Sequence, residues 1–141
     1  MALWKHTPTL DQMNALSRGT VAEVLGIEIT EVGADYVRGR MPVDARTRQP
    51  YGLLHGGSSV VLAETLGSIA GALVVGDDAR VVGLDINANH VRGVREGFVT
   101  GTARALHIGR STQVWEIRIE SDAAQLVCVS RLTLSVVPKS A

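Results

Sequence analysis

The chain has 141 residues, a length that fits one domain spanning 1–141. Its 45% hydrophobic and 20% charged residues exclude a disordered polyelectrolyte, and 14 Lys+Arg against 14 Asp+Glu exclude nucleic-acid binding through bulk charge. Cys128 is the single cysteine, so no internal disulfide forms; the first five residues lack a signal-peptide pattern and no unbroken apolar run reaches the roughly 18–20 residues of a membrane span, so a cytoplasmic location without membrane attachment is expected.

Thr9-Leu10-Asp11-Gln12-Met13 opens a short helix, with Thr9 as N-cap and Gln12 three residues on as in a capping box. Gly19 ends it, and a second short turn over Val21–Leu25 stops at Gly26. Ile27–Val32 alternates apolar and polar side chains, the period of a half-buried strand. Gly33-Ala34-Asp35 turns the chain, Tyr36–Met41 returns as a second strand limited by Pro42, and Val43–Leu54 is a loop. After His55-Gly56-Gly57 a long helix is predicted from Ser58 to Val75; it is apolar nearly all round and should be buried. Gly76-Asp77-Asp78 ends it.

Four strand-like runs follow: Arg80–His90, Gly97–Leu106, Ser111–Glu120 and Gln125–Val137. The turns between the last three, His107-Ile108-Gly109 and Ser121-Asp122-Ala123, and the turn Arg95-Glu96-Gly97 before them are short, which favours antiparallel pairing. Two strands, one long buried helix and four strands make an α+β domain, with the helix against a curved antiparallel sheet.

Glu64 stands out within that helix. Its neighbours at helical spacing, Val60, Val61 and Ser68, are apolar or small, and an ionised carboxylate among them costs several kcal/mol unless it meets donors or a solvated cleft. The plain alternatives are an exposed helix position or an arginine partner. His55 ends a loop where Gly56 starts a helix, so the N–H groups of Gly56 and Gly57 are first-turn donors at the positive end of the dipole. Such a helix start can hold the oxyanion of an acyl transfer. Glu64 lies eight residues beyond Gly56, about 12 Å along one helix. That is too far for both to act on one carbonyl, so the pair is expected to be completed across a subunit interface. Ser68 sits one turn beyond Glu64 on the same face.

Other signals are weaker. His6, His55, His90 and His107 show no metal-ligand spacing, so no metal site is expected. No nucleophile elbow or phosphate loop is present. His90-Val91-Arg92-Gly93-Val94-Arg95 and His107-Ile108-Gly109-Arg110-Ser111-Thr112 are basic and polar strand ends. They could contact phosphate oxygens through Arg and backbone N–H groups, or be solvated hairpin ends.

The stretch Arg46–Gly57, running on through Ala63-Glu64-Thr65-Leu66-Gly67-Ser68, resembles the hotdog-fold acyl-CoA thioesterases. The nearest branch is that of the glutamate-type 4-hydroxybenzoyl-CoA and 1,4-dihydroxy-2-naphthoyl-CoA thioesterases. Val82–Arg92, Leu106–Gly109 and Leu3-Trp4-Lys5 carry the same likeness, which spans nearly the whole chain. The resemblance implies a hotdog fold, two chains joined sheet to sheet, and dimers pairing into tetramers. It implies that Glu64 is nucleophile or general base and that the Gly56 N–H polarises the thioester carbonyl. Gln49 and His55 assist, and Ser68 orients the carboxylate or its water. It also implies that Val82, Gly83, His90–Gly93 and His107–Thr112 border the CoA moiety. An acyl-CoA substrate is thus expected, with no cofactor. Two other functions would fit the same fold. One is an enoyl-CoA hydratase, which would want Asp and His acting together. The other is a non-catalytic acyl-CoA or acyl-carrier binding module, in which Glu64 is structural.

Overall fold

The computed structural model describes residues 2–139. Helix α1 (Leu10–Ala15) begins at the Thr9 capping box: Thr9 Oγ1 accepts from the Gln12 N–H and Gln12 returns the bond. The short helix α2 (Val21–Val24) follows. Strands β1 (Glu28–Val32) and β2 (Tyr36–Pro42) form a hairpin. The long helix α3 (Gly56–Val75) starts two residues before the predicted Ser58, because His55 caps it, and closes in a single 3-10 turn, Gly76–Asp78.

Strands β3 (Ala79–His90), β4 (Phe98–Ile108), β5 (Thr112–Ser121) and β6 (Leu126–Pro138) complete one antiparallel sheet in the order β1-β2-β4-β5-β6-β3. The predicted turn at His107–Gly109 is shifted: β4 runs on through Ile108 after a register shift between Ala105 and His107, so the turn begins at Gly109. β3, although consecutive with α3, lies at the far edge against β6. Its register slips between Gly83 and Asp85, leaving Leu84 as an extra residue.

The sheet curls around α3, the arrangement of a hotdog fold. Leu62, Ala63, Leu66 and Ala70 are fully buried on the sheet side, each leucine contributing roughly 1.5–3 kcal/mol. Gly67 and Gly71 allow the close approach, since a methyl group at either would overlap Leu132 or Leu134 of β6. The buried Trp115 indole donates to Gln113 Oε1 (2.9 Å), and Gln113 Nε2 donates to the Gly71 carbonyl at 3.5 Å. Among the described residues no buried side-chain nitrogen or oxygen lacks a hydrogen-bond partner.

The expectation that α3 is buried all round is corrected. Gly56–Asp78 is long and apolar enough to cross a membrane, with mean hydropathy 1.7, and its sheet-facing side is core. Its opposite side is open: Glu64, Thr65, Ser68 and Ile69 are half-buried and Ala72 is exposed. A mostly apolar helix needs only one face covered by a sheet, and α1 and α2 lie over the other with a cleft between.

The chain before α1 is strapped over the end of α3. Trp4 donates its indole N–H to the Gly33 carbonyl (2.7 Å) and stacks on Trp115, centroids 6.2 Å apart and planes 13° off parallel. The Lys5 N–H donates to the Leu73 carbonyl, and Lys5 Nζ pairs with Asp78 at 2.6 Å. The ammonium beside it holds the Asp78 carboxyl below the usual carboxylate range.

Candidate active site

The start of α3 is the first half of the site. A helix leaves its first N–H groups without intrahelical partners. Here the Ser58 and Ser59 N–H groups donate to the His55 carbonyl, and Gly57 donates to His55 Nδ1 at 2.8 Å. The expectation of two free donors is thus corrected to one. Gly57 is consumed by the cap, and only the Gly56 N–H has no protein acceptor among the described residues. Because His55 Nδ1 accepts, the neutral ring carries its proton on Nε2.

The loop feeding this point is held firmly. Thr47 is fully buried, with its hydroxyl donating to the Pro42 carbonyl at 2.8 Å, and the His55 N–H donates to the Thr47 carbonyl at 2.7 Å. Gln49 Oε1 accepts the Tyr51 N–H, which leaves the Gln49 amide NH₂ as a donor. Gln49, Gly56, His90, Val91, Arg92 and Gly93 line one cavity of about 420 Å³. His90 lies over the helix start, so close that a methyl on Gly56 would come within 2.8 Å of its Nε2.

The second half lies two turns along α3. The Glu64 carboxylate faces Gly83 of β3, and a methyl there would overlap Glu64 Oε2. Among the described residues Glu64 takes part in no ion pair. The arginine-held alternative therefore does not apply. Ser68 shares a cleft with Glu64, without a hydrogen bond between them among the described residues. Cys128, the other nucleophile by type, is buried; desolvation pushes its thiol up, and the contact to Ser130 offsets this only partly. It is poorly placed to attack as a thiolate.

The predicted CoA-contacting segments fall into two groups. Val82 pairs with Ser135 and Ser135 with Thr112, which brings Val82, Gly83 and the His107–Thr112 hairpin to one end of the sheet. His107 packs on Gly109 inside that turn, with Ile108, Arg110 and Ser111 exposed. His90–Gly93 lie at the other end of β3, seven residues from Gly83, or about 23 Å of extended strand. One chain thus separates Glu64, Ser68, Gly83 and the hairpin from Gln49, Gly56, His90 and Arg92.

A feature without sequence motif is the cleft of about 700 Å³ between α3 and the α1–α2 layer, with Glu64 in its wall. Leu16 and Val21 line it and are 79% and 56% exposed. The only sequence signal was apolar residues on helices too short to bury them.

Comparison with known proteins gives a consistent result. Residues 51–128 match the Thioesterase superfamily model. The chain is 49% identical over 134 residues to the 1,4-dihydroxy-2-naphthoyl-CoA hydrolase of Escherichia coli strain K12, covering 95% of this chain and 98% of that protein. It is 51% identical over 134 residues to the proofreading thioesterase EntH of Cronobacter turicensis, with the same coverage of 95% and 98%. The crystal structure of thioesterase HI1161 from Haemophilus influenzae superposes with a TM-score of 0.95 at 54% identity, covering 96% of this chain and 95% of that one. The chain belongs to the thioesterase superfamily and is a hotdog-fold thioester hydrolase.

Proposed function

We propose that the protein hydrolyses an aromatic or related acyl-CoA to the free acid and CoA, with Glu64 of one chain and the Gly56 N–H of a second copy meeting at one carbonyl. The carrying observation is that the lone free first-turn donor, Gly56, and the unpaired carboxylate, Glu64, lie two turns apart on one rigid helix. β3 is an edge strand with an open hydrogen-bonding side. Antiparallel addition of a second β3 in a register centred on Ile86 would set Gly83 opposite Asn89 and Val82 opposite His90. Glu64, which rests on Gly83, would then face the Gly56 end of the other copy, which lies under His90. The same pairing joins Val82, Gly83 and the His107–Thr112 hairpin of one chain to His90–Gly93 of the other as one CoA surface. Arg92 and Arg110, exposed and in no ion pair among the described residues, are available for its phosphates.

In this reading the Gly56 N–H donates to the thioester oxygen as negative charge develops there. The Gln49 NH₂ and the proton on His55 Nε2 supply polar support. Glu64 either attacks the carbonyl carbon, expelling CoA thiolate and leaving a mixed anhydride that water opens, or takes a proton from an attacking water. In a single turnover in H₂¹⁸O, an anhydride opened by water at the Glu64 carboxyl carbon leaves label in Glu64, which the general-base route does not. The relative named 1,4-dihydroxy-2-naphthoyl-CoA hydrolase supports an aromatic acyl group. Thiol release from a panel of acyl-CoA esters tests the reading. Glu64→Gln should lower kcat by at least ~10²-fold without unfolding the chain. Mixed Glu64→Ala and Gln49→Ala subunits should recover part of the activity. Near-normal turnover by Glu64→Gln would remove Glu64 from the mechanism.

A further inference from the structure

We propose that Arg95 is a positioning residue for the reaction: its guanidinium holds the turn that aims Gln49, and so decides which end of the Gln49 amide meets the thioester. The inference rests on the reading that the Gln49 NH₂ supports the thioester oxygen. The turn is Gln49-Pro50-Tyr51-Gly52, closed by the Gly52 N–H on the Gln49 carbonyl at 2.9 Å. Pro50 takes its second position, which the fixed φ of proline favours. The backbone of Gln49 is tied again by its own N–H on the Leu53 carbonyl at 2.8 Å. Its side chain is oriented by one bond among the described residues, from the Tyr51 N–H to Oε1. A backbone N–H can meet only an acceptor, so this bond takes the amide oxygen and leaves the NH₂ for substrate. Flipped end for end, the same side chain would set an oxygen against the thioester oxygen. What holds Tyr51 therefore sets the chemistry that Gln49 presents.

Packing does not hold Tyr51, whose side chain is 83% exposed. Arg95 does: its Nη1 donates to the Tyr51 carbonyl at 3.3 Å, a bond assisted by the cationic charge. The guanidinium passes over Gly52, where a methyl group would lie 3.5 Å from Nη1. Arg95 is itself braced. Arg48 Nε donates to the Arg95 carbonyl at 3.0 Å, and beside it the Leu54 N–H donates to the Val94 carbonyl at 2.8 Å. These bonds tie together the two walls of the 420 Å³ cavity, the segment from Gln49 to Gly56 and the segment from His90 to Gly93. Neither Arg48 nor Arg95 takes part in an ion pair among the described residues, and the donors of both go to backbone carbonyls. Of the basic residues in the His90–Arg95 stretch, Arg95 is thus neither a phosphate contact nor a solvated strand end.

The test is a double-mutant cycle read by thiol release from benzoyl-CoA. Arg95→Met keeps an unbranched stem over Gly52 and removes the donor; because Arg95 is exposed, the variant should keep the wild-type Tm. Gln49→Ala alone should lower kcat at least ~10²-fold. Arg95→Met alone should lower kcat at least ~10-fold with KM changed less than about twofold. In the Gln49→Ala background, Arg95→Met should change kcat less than about twofold, because the group through which it acts is gone. Losses that multiply in the double variant, or a normal kcat in Arg95→Met, overturn the positioning role. So does a normal kcat with KM raised for benzoyl-CoA but not for the benzoyl ester of pantetheine, which makes Arg95 a nucleotide contact. The two readings stay apart in the same cycle. If Gln49→Ala is impaired and the losses multiply, only the role of Arg95 fails. If Gln49→Ala keeps its kcat, the reading of Gln49 fails first and the positioning role falls with it.

Discussion

Gly83 has no room for a side chain because the Glu64 carboxylate occupies that space. It sits on the exposed edge strand beside the register shift at Leu84, where alanine has no core cost and glycine carries an entropic penalty of roughly 0.5–1 kcal/mol in the unfolded chain. Gly83→Ala is therefore expected to leave Tm unchanged or slightly raised while pushing Glu64 out of register with its carbonyl. A fall in kcat of at least ~10-fold with no loss in Tm is the expected pair of readings, and a misplacement of about 1 Å is enough for it. Normal kcat would mean that Glu64 works from a different rotamer. His55 shows the same economy of contact. One ring caps α3 through Nδ1 and thereby removes Gly57 from the set of available donors, which leaves the Gly56 N–H alone.

At the level of elements, α3 depends on what lies over its far end. The Trp4 indole is half-buried, bonded to Gly33 and stacked on Trp115, while Lys5 holds Leu73 and Asp78. The ion pair is exposed on both sides and contributes little; the indole carries the attachment. Trp4→Ala is expected to cost about 2–3 kcal/mol in denaturant unfolding, below the 3–5 of a fully buried aromatic. Unchanged stability would show that the strap is held elsewhere.

For the whole molecule the deciding feature is the open edge of β3. Val82 and Leu84 are 50% and 61% exposed on a strand paired on one side only, an edge that natural sheets either cover or charge. With the two halves of the site about 12 Å apart on α3, assembly and activity should fall together. Leu84→Arg is expected to shift the protein toward monomer in light scattering, retain its far-ultraviolet circular dichroism, and lose at least ~10²-fold in kcat at the same protein concentration. A monomer with full activity would refute assembly of the site from two chains.

Local rules made much of this legible in the amino-acid sequence. The Thr9 capping box and the Gly76 stop of α3 each depend on neighbours within a few residues, and each stands in the structure, whereas the alternation of β1 holds only to Ile29, where the register against β2 shifts. Glu64 was legible because a charge among Val60, Val61 and Ser68 conflicts with its surroundings, and a conflict of that kind is visible without coordinates. What tertiary structure alone decided involves residues far apart in the chain. That β3 lies at the sheet edge, that Gly83 meets Glu64 and that His90 covers Gly56 follow from strand order, which no local period encodes. The open face of α3 has the same origin. Composition made the helix apolar all round, but whether a face is filled or left as a cleft depends on how far α1 and α2 stand from it. The strap leading into α1 is tied down by Trp4 stacking on Trp115, a contact across more than a hundred residues, and by the Lys5 N–H on the Leu73 carbonyl.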